Sequence, residues 1–560
     1  MRNKYVLWLV VVLCLACVTS MSAQKNSNVL TNPQVSKPIF GITPPIRDLV
    51  KNEPQELQFG FHQASPVQYP KLQQLLWNAK NFNYAAHKDV LAQNQNQPAT
   101  VPTKLADWLG VGAGFFGYSV PDAPTDGNLS IGDTQIVQWV NVQFAVFDLN
   151  GNNILFNGQH YVRGSIFWTS GPCASSNSGD IIAQWDKIAH RWVMYQPRFS
   201  APYYDCFAIS QTNDATGAYY TFQFPTYNSA TDLPDYPKVG VWPNGYYVSH
   251  NDFNLNKNPQ YQGAAPCAYD RVKMLAGDQS AKGVCFLDTS NGTLFDDSML
   301  PADVDSPLAP PNGIDPLFMG SVDNYSTDTN VYYYHFHFDP VNPANSTFDC
   351  TNGACKIAVA AYSNAAGTAP EPGSNVIDTL ADRMMYRLAY RILPAPTPAR
   401  TIRDNRKQQW LVSHAVNNGG VAAVRWYEFR APIDNTTPTT FQQGTYSPDS
   451  NHRFMSALAM DDAGNIAMSE TVTSSSVYPT IEFTGRSGSD PLGTMGAPQV
   501  VLAGTGSQTD TSNRWGDYYN MSLSNDGCTF VTTGEYYTSN SSFNWSTRIA
   551  KLKFDSCIPH

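Results

Sequence analysis

The sequence predicts an all-β protein, a seven-bladed β-propeller preceded by an N-terminal extension. Three observations predict it. Charged residues make up only 14% of the chain and aromatics 12%, with 38 Gly and 39 Pro, which is the composition of an exported β-rich protein. From about residue 120, short strand-like runs alternate with Gly, Asn and Asp turns. The strand-turn-strand pattern then recurs, starting near 136, 180, 237, 320, 378, 454 and 517. These intervals are too uneven for a strict repeat, but they suit four-stranded blades with loop insertions. Six or eight blades, or a large β-sandwich of two domains, are the alternatives.

Residues 1–23 read as a signal peptide. Arg2 and Lys4 form a basic start, Tyr5 to Val18 is apolar, and Ser20, Ser22 and Ala23 offer a cleavage site. A retained anchor is the bland reading. A lipoprotein signal at Leu15-Ala16-Cys17 is a third, and Cys14 fits it poorly. The predicted localisation is secreted, with periplasm or surface lipoprotein as alternatives. Cleavage removes two cations and takes the formal charge from −10 to −12. That acidity excludes nucleic acid as a partner, since binding it needs clustered Lys and Arg. No later run is long and apolar enough to span a bilayer as a helix.

Residues 24–119 form the extension. The run AQNQNQPATVPT has the look of a linker, and Leu72, Leu75, Leu76 and Ala79 on one face predict a short helix over 70–82. The propeller is assigned to 120–560. Its hairpins turn at Asp148-Leu-Asn-Gly-Asn, Pro243-Asn-Gly, Asp461-Asp-Ala-Gly-Asn and Asn525-Asp-Gly. Asp186 to Met194 echoes Asp378 to Tyr386 in the pattern D-x-[IL]-A-x-R, which suggests equivalent places in two repeats.

Ten cysteines are present, eight of them beyond the signal. An even count in an exported chain predicts disulfides, and sequence alone leaves their connectivity open. The simplest pairing joins neighbours: Cys173 with Cys206, Cys267 with Cys285, Cys350 with Cys355, and Cys528 with Cys557.

The segments 120–141, 235–247, 380–391, 446–468 and 514–530 resemble a group of exported bacterial β-propeller-like proteins of unestablished function. That resemblance implies a fold and export, and it brings no catalytic residues. Asn525-x-Gly527-x-Thr529-Phe530 is also similar to the tail of the Asp-box of sialidase-type propellers, with Leu523 and Asn525 departing from that box. Asp-boxes are structural, so this likeness implies architecture rather than glycan cleavage.

Five groups are weighed for chemistry. Asp517 and Glu535 are a candidate carboxylate pair for glycoside cleavage, with Arg514 as a ligand clamp and Trp515 as a sugar platform. The bland reading has Asp517 capping a turn and Glu535 pairing with Arg548. Arg383, Arg387 and Arg391, spaced by four, share one face of a strand and suit an anionic ligand. Holding loops, like the echoed Arg191, is the alternative. Asp449 and Arg453 sit in a loop with Asn451 and His452, either at a ligand or in plain loop packing. Asp148-x-Asn150-x-Asn152 hints at a calcium loop, but its glycine falls at the wrong place and a turn is the simpler reading. His335 and His337 share a strand face without a full ligand set, and no metal is assigned. No cofactor is required.

The function expected is an exported propeller, monomeric, that binds an extracellular ligand: a glycan or a cell-surface polymer. The alternatives are a glycoside hydrolase or polysaccharide lyase at the same funnel, and a structural or adhesive surface protein.

Overall fold

The computed structural model describes residues 29–52, 82–93, 95–118, 120, 123–154, 159–258, 260–289, 297–321, 327–350, 355–392 and 406–559. The expected signal peptide, and all but Phe82 of the expected helix over 70–82, lie outside the described residues.

The chain is all-β, built of many small antiparallel sheets. Among the described residues, seven successive runs are wound in the same way, each strand pairing with the next. Their first strands are Asn128–Ile131, Ile182–Asp186, Asp232–Trp242, Leu300–Val304, Leu388–Ile392, His452–Met460 and Met521–Leu523. Each run is called a sheet below, numbered one to seven in chain order. The fourth and fifth also join edge to edge, where Ala302, Asp303 and Val304 pair in parallel with Leu388, Ala389 and Tyr390. The starts expected near 136 and 320 fall instead on second strands, Gln135–Val140 and Leu317–Gly320, and the one near 378 falls on a separate hairpin strand, Val376–Asp378.

The hairpin turns are held by their own side chains. Asp148 Oδ1 accepts from the backbone N–H of Asn150 and Asn152, and Gly151 takes φ +86. Asp461 repeats the arrangement with Ala463 and Asn465, and Asp526 accepts from Cys528 and Thr529. Asp148 Oδ2 is taken as well, by the Asn152 amide, so the hinted calcium loop is a turn stabilised from within.

Neighbouring sheets are joined by polar side chains on or beside their first and second strands. Asn520 and Leu129 exchange two hydrogen bonds between the seventh sheet and the first. Asn128 and Ser130 accept from the backbone of Ala183 and Trp185 in the second. Ser413 and Ser456 join the fifth and sixth, and Ser469 and Thr532 the sixth and seventh.

The N-terminal segment runs along the outer edges of these sheets. Val29–Leu30 pairs with the fourth, Gln34–Ser36 with the third and Ile39–Thr43 with the second. Ala92–Gln93 then pairs in parallel with the fifth, and Thr103–Leu109 forms the outer strand of the seventh. Exposed edges template aggregation, so these strands protect five of them.

All four expected disulfides are present: Cys173–Cys206, Cys267–Cys285, Cys350–Cys355 and Cys528–Cys557. Among the described residues no helix is long and apolar enough to cross a membrane.

Candidate functional site

The backbone turns sharply just before most first strands. Asp126, Asp180 and Ser298 hold φ of +47, +50 and +47, each two residues ahead of its first strand. Tyr236 and Met455 hold +52 and +47 at irregularities within the first strands of the third and sixth sheets. Asp517 holds +81 shortly before Met521. Non-glycine residues adopt this region rarely and at a cost, and such residues gather where function constrains the backbone.

Several of these lead-in side chains meet. Tyr518 donates to Asp180 Oδ2 at 2.5 Å, and Tyr236 donates to the Asp517 carbonyl at 3.3 Å. The Lys238 ammonium lies 3.2 Å from the Tyr236 ring centre and 3.7 Å from that of Tyr518. The Arg383 guanidinium covers Tyr236 from 4.6 Å and is held by Asp382 through two hydrogen bonds of 2.7 and 2.8 Å. Arg514 pairs with Asp517. The Asp378 N–H donates to the carbonyl of Asn513 at 2.7 Å, which ties its hairpin (Thr368–Pro370 and Val376–Asp378) to the Arg514 loop. Asp180, Asp235, Asp378, Arg383 and Arg514 are half-buried, while Tyr236, Lys238 and Asp517 are buried. Side chains from the second, third, fifth and seventh sheets, in or just ahead of their first strands, thus form one cluster that opens to solvent.

Several of its carboxyl groups are held above their ordinary range. Burial, then the charge of Asp235, lifts Asp180 to about 7. Asp126 is lifted by burial and by Asp180 and Asp517. Asp378 is raised to about 6, chiefly by burial. Burial pushes Lys238 well below the usual lysine range, against the pull of Asp180 and Asp517. Such a group of perturbed titrations is a mark of functional sites.

Arg383, Arg514 and Asp517, expected from sequence, are in this cluster, and Glu535 supports it. Glu535 Oε2 accepts from the Gly516 N–H, Thr125 Oγ1 and Tyr519 OH, and burial lifts the carboxyl to about 8. It holds the loop carrying Asp517 and does not pair with Arg548, which binds Asp107 instead.

Other expected residues lie elsewhere. Trp515 is core and no platform: it is 0% exposed, stacks on Tyr537 and donates to Thr471. Asp449 and Arg453 form a separate group with Glu470 and Glu482 in the sixth sheet. Arg387 and Arg391 do not share a face with Arg383. Both are buried, Arg387 on Asp303 and Asp305 and Arg391 on Asp462. The Asp186/Asp378 echo joins unlike places, since Asp186 and Arg191 flank a hairpin turn while Asp378 and Arg383 precede a first strand.

Of the histidines, His337 pairs with Asp315 and His335 is buried. Asp205, His250 and Cys267 lie together, but Cys267 is disulfide-bonded and Asp205 already accepts from Tyr195 and Tyr269. That trio is a hydrogen-bonded core cluster.

Sequence reasoning missed Asp126, Asp180, Asp235, Lys238 and Asp378. A signal existed: an aspartate at or just before the turn recurs at 126, 180, 297 and 517, ahead of four first strands, and at 235 inside a fifth.

No family model and no curated protein matches the chain. Among solved structures, it is similar to an endo-arabinase from Bacteroides thetaiotaomicron, at 11% identity and TM-score 0.25, over 59% of this chain and 95% of that one. An α-L-arabinofuranosidase from Podospora anserina follows at 8% and 0.24, covering 58% and 92%. A protein of unknown function from Dyadobacter fermentans stands at 8% and 0.22, covering 58% and 95%. At these TM-scores the likeness fixes neither fold nor activity.

Proposed function

We propose that the chain is an exported seven-bladed β-propeller that binds a glycan at the loops leading into its first strands. The observation that carries this reading is the convergence of Asp180, Lys238, Arg383, Arg514 and Asp517 from four different sheets on one solvent-open cluster. In a propeller such lead-ins face one end of the central channel, where ligands collect. Closely set carboxylates, guanidinium groups and tyrosine hydroxyls suit a polyhydroxylated ligand, whose hydroxyls both donate and accept. Four disulfides support export, since such bonds persist outside the cytosol. The test is a glycan-array screen of the mature protein, followed by titration of any hit against Asp180→Asn and Arg383→Ala. Loss of affinity with unchanged thermal unfolding supports the site. Unchanged affinity in both removes it.

One observation favours catalysis at the same place. Asp180, at about 7, stands within range of the charge of the arginine-paired Asp517. A carboxyl that keeps its proton near neutral pH, beside a second carboxyl, is what a general acid for cleavage of a glycosidic bond requires. Release of reducing sugar by the native protein, abolished in Asp180→Asn, separates a hydrolase from a binding module.

A further inference from the structure

The ionic pairs of the cluster leave an imbalance. Arg383 is matched by Asp382 and Arg514 by Asp517. Asp126, Asp180, Asp235 and Asp378 form no ion pair with Lys or Arg among the described residues. Arg514 acts on Asp126, Asp235 and Asp378 while already paired, and Lys238 acts on Asp126 and Asp180 with its own charge disfavoured by burial. Asp517 Oδ1 adds an independent sign: its side chain is 3% exposed and that oxygen has no hydrogen-bond partner among the described residues. Its charge acts on Asp126, Asp180, Asp235 and Asp378, so it belongs to the same space. The surroundings also already hold one ammonium, that of Lys238 between two tyrosine rings, which is how proteins hold alkylammonium groups.

We infer that the site selects glycan units bearing a free amino group, of the glucosamine type, over neutral or acidic ones. The inference rests on the glycan reading above. An ammonium brought by the ligand offsets the excess of carboxylates, which otherwise repel one another in a half-buried space. A uronate carboxylate would meet that same repulsion, while both arginines are already engaged by carboxylates of the protein. Arginines in the sequence suggest recognition of acidic sugars; their partners Asp382 and Asp517 reverse that expectation.

The experiment is calorimetric titration of the full mature chain with three probes: the trimers of glucosamine, N-acetylglucosamine and galacturonic acid. Salt is kept at about 50 mM so that screening stays weak. The glucosamine trimer is expected to bind about ten-fold or more tighter than the acetylated one, with the galacturonate trimer weakest. Asp180→Asn combined with Asp378→Asn, checked for an unchanged thermal transition, is expected to bring the amino and acetylated trimers within about three-fold. Should this pair fail to fold, Asp180→Asn alone is expected to narrow the gap. Equal affinity for the first two probes, or strongest binding of galacturonate, overturns the amino selection and leaves the glycan reading standing. Silence of all three probes, together with a silent glycan array, overturns both.

Discussion

Arg387 of the fifth sheet donates to Asp303 of the fourth at 2.7 Å, with both side chains at 2% exposure or less. Asp303 also accepts from Gln184 of the second sheet and from the Val241 N–H of the third, while Arg387 reaches Asp305 and the Met521 carbonyl of the seventh. One ion pair therefore serves five sheets. Its two charges satisfy each other where water is absent, so removing one strands the other.

Arg387→Ala is accordingly expected to destabilise the fold by about 3–5 kcal/mol, the cost of an unpaired buried charge. Denaturant unfolding measures it. A loss below about 1 kcal/mol would show that Asp303 and Asp305 find other partners and that the pair is not a common fastening.

A second prediction concerns the N-terminal strands. A chain beginning at residue 53 lacks the strands that cover the second, third and fourth sheets, and it also loses the packing of Phe40 on Phe222. Light scattering should then show association, because three edges stand open. A monodisperse truncated protein with unaltered unfolding would mean that these strands only decorate the sheets.

Disulfide removal should scale with loop length. Cys528–Cys557 spans 29 residues and Cys350–Cys355 spans 5. In the chain-entropy account the first is worth about 3–4 kcal/mol and the second about 2. Paired Cys→Ser variants compared in urea give the order; the reverse order rules out the entropic account here. Thiol titration of the denatured, unreduced protein should find almost none free.

Stability should fall as pH rises. Burial lifts Glu535 and Glu470 to about 8, well above their ordinary value of 4.5. Between those limits the folded state keeps a proton that the unfolded state releases. The stabilisation is complete below about pH 4.5 and is lost as pH climbs through 8, at up to about 1.4 kcal/mol per pH unit for each group. The urea midpoint at pH 5 should exceed that at pH 8, and Glu535→Gln should flatten the slope. A slope of opposite sign would mean that these carboxyls are ionised in the fold.

The sequence revealed what local chemistry decides. Turns such as Asp461 to Asn465 close on themselves, so their hairpins could be read directly. Disulfides between near neighbours were readable for the same reason. Arg514 and Asp517 stand three residues apart and were found together. Asp126, Asp180 and Asp235 were not, because each lies in a different repeat and only the winding of the sheets brings them together. Trp515 was misread because a tryptophan beside Arg and Asp looks the same in sequence whether its ring faces solvent or core.

That difference gives the last prediction. The Trp515 indole is fully buried against Tyr537, and its N–H is held by Thr471. Trp515→Ala should cost about 3–5 kcal/mol, as other buried aromatic truncations do. Whatever fraction stays folded should bind ligand with affinity close to native, since the indole does not line the open cluster. Asp180→Asn should do the reverse. Its side chain is half-buried, the amide keeps an acceptor for the Tyr518 hydroxyl, and the change removes only the ionisable oxygen. Unfolding should move by less than about 1 kcal/mol, while ligand affinity or turnover drops. Paired urea and binding measurements on the two variants decide the matter. A Trp515→Ala protein of native stability that no longer binds would return the indole to the site, and an Asp180→Asn protein that binds as before would remove the aspartate from it.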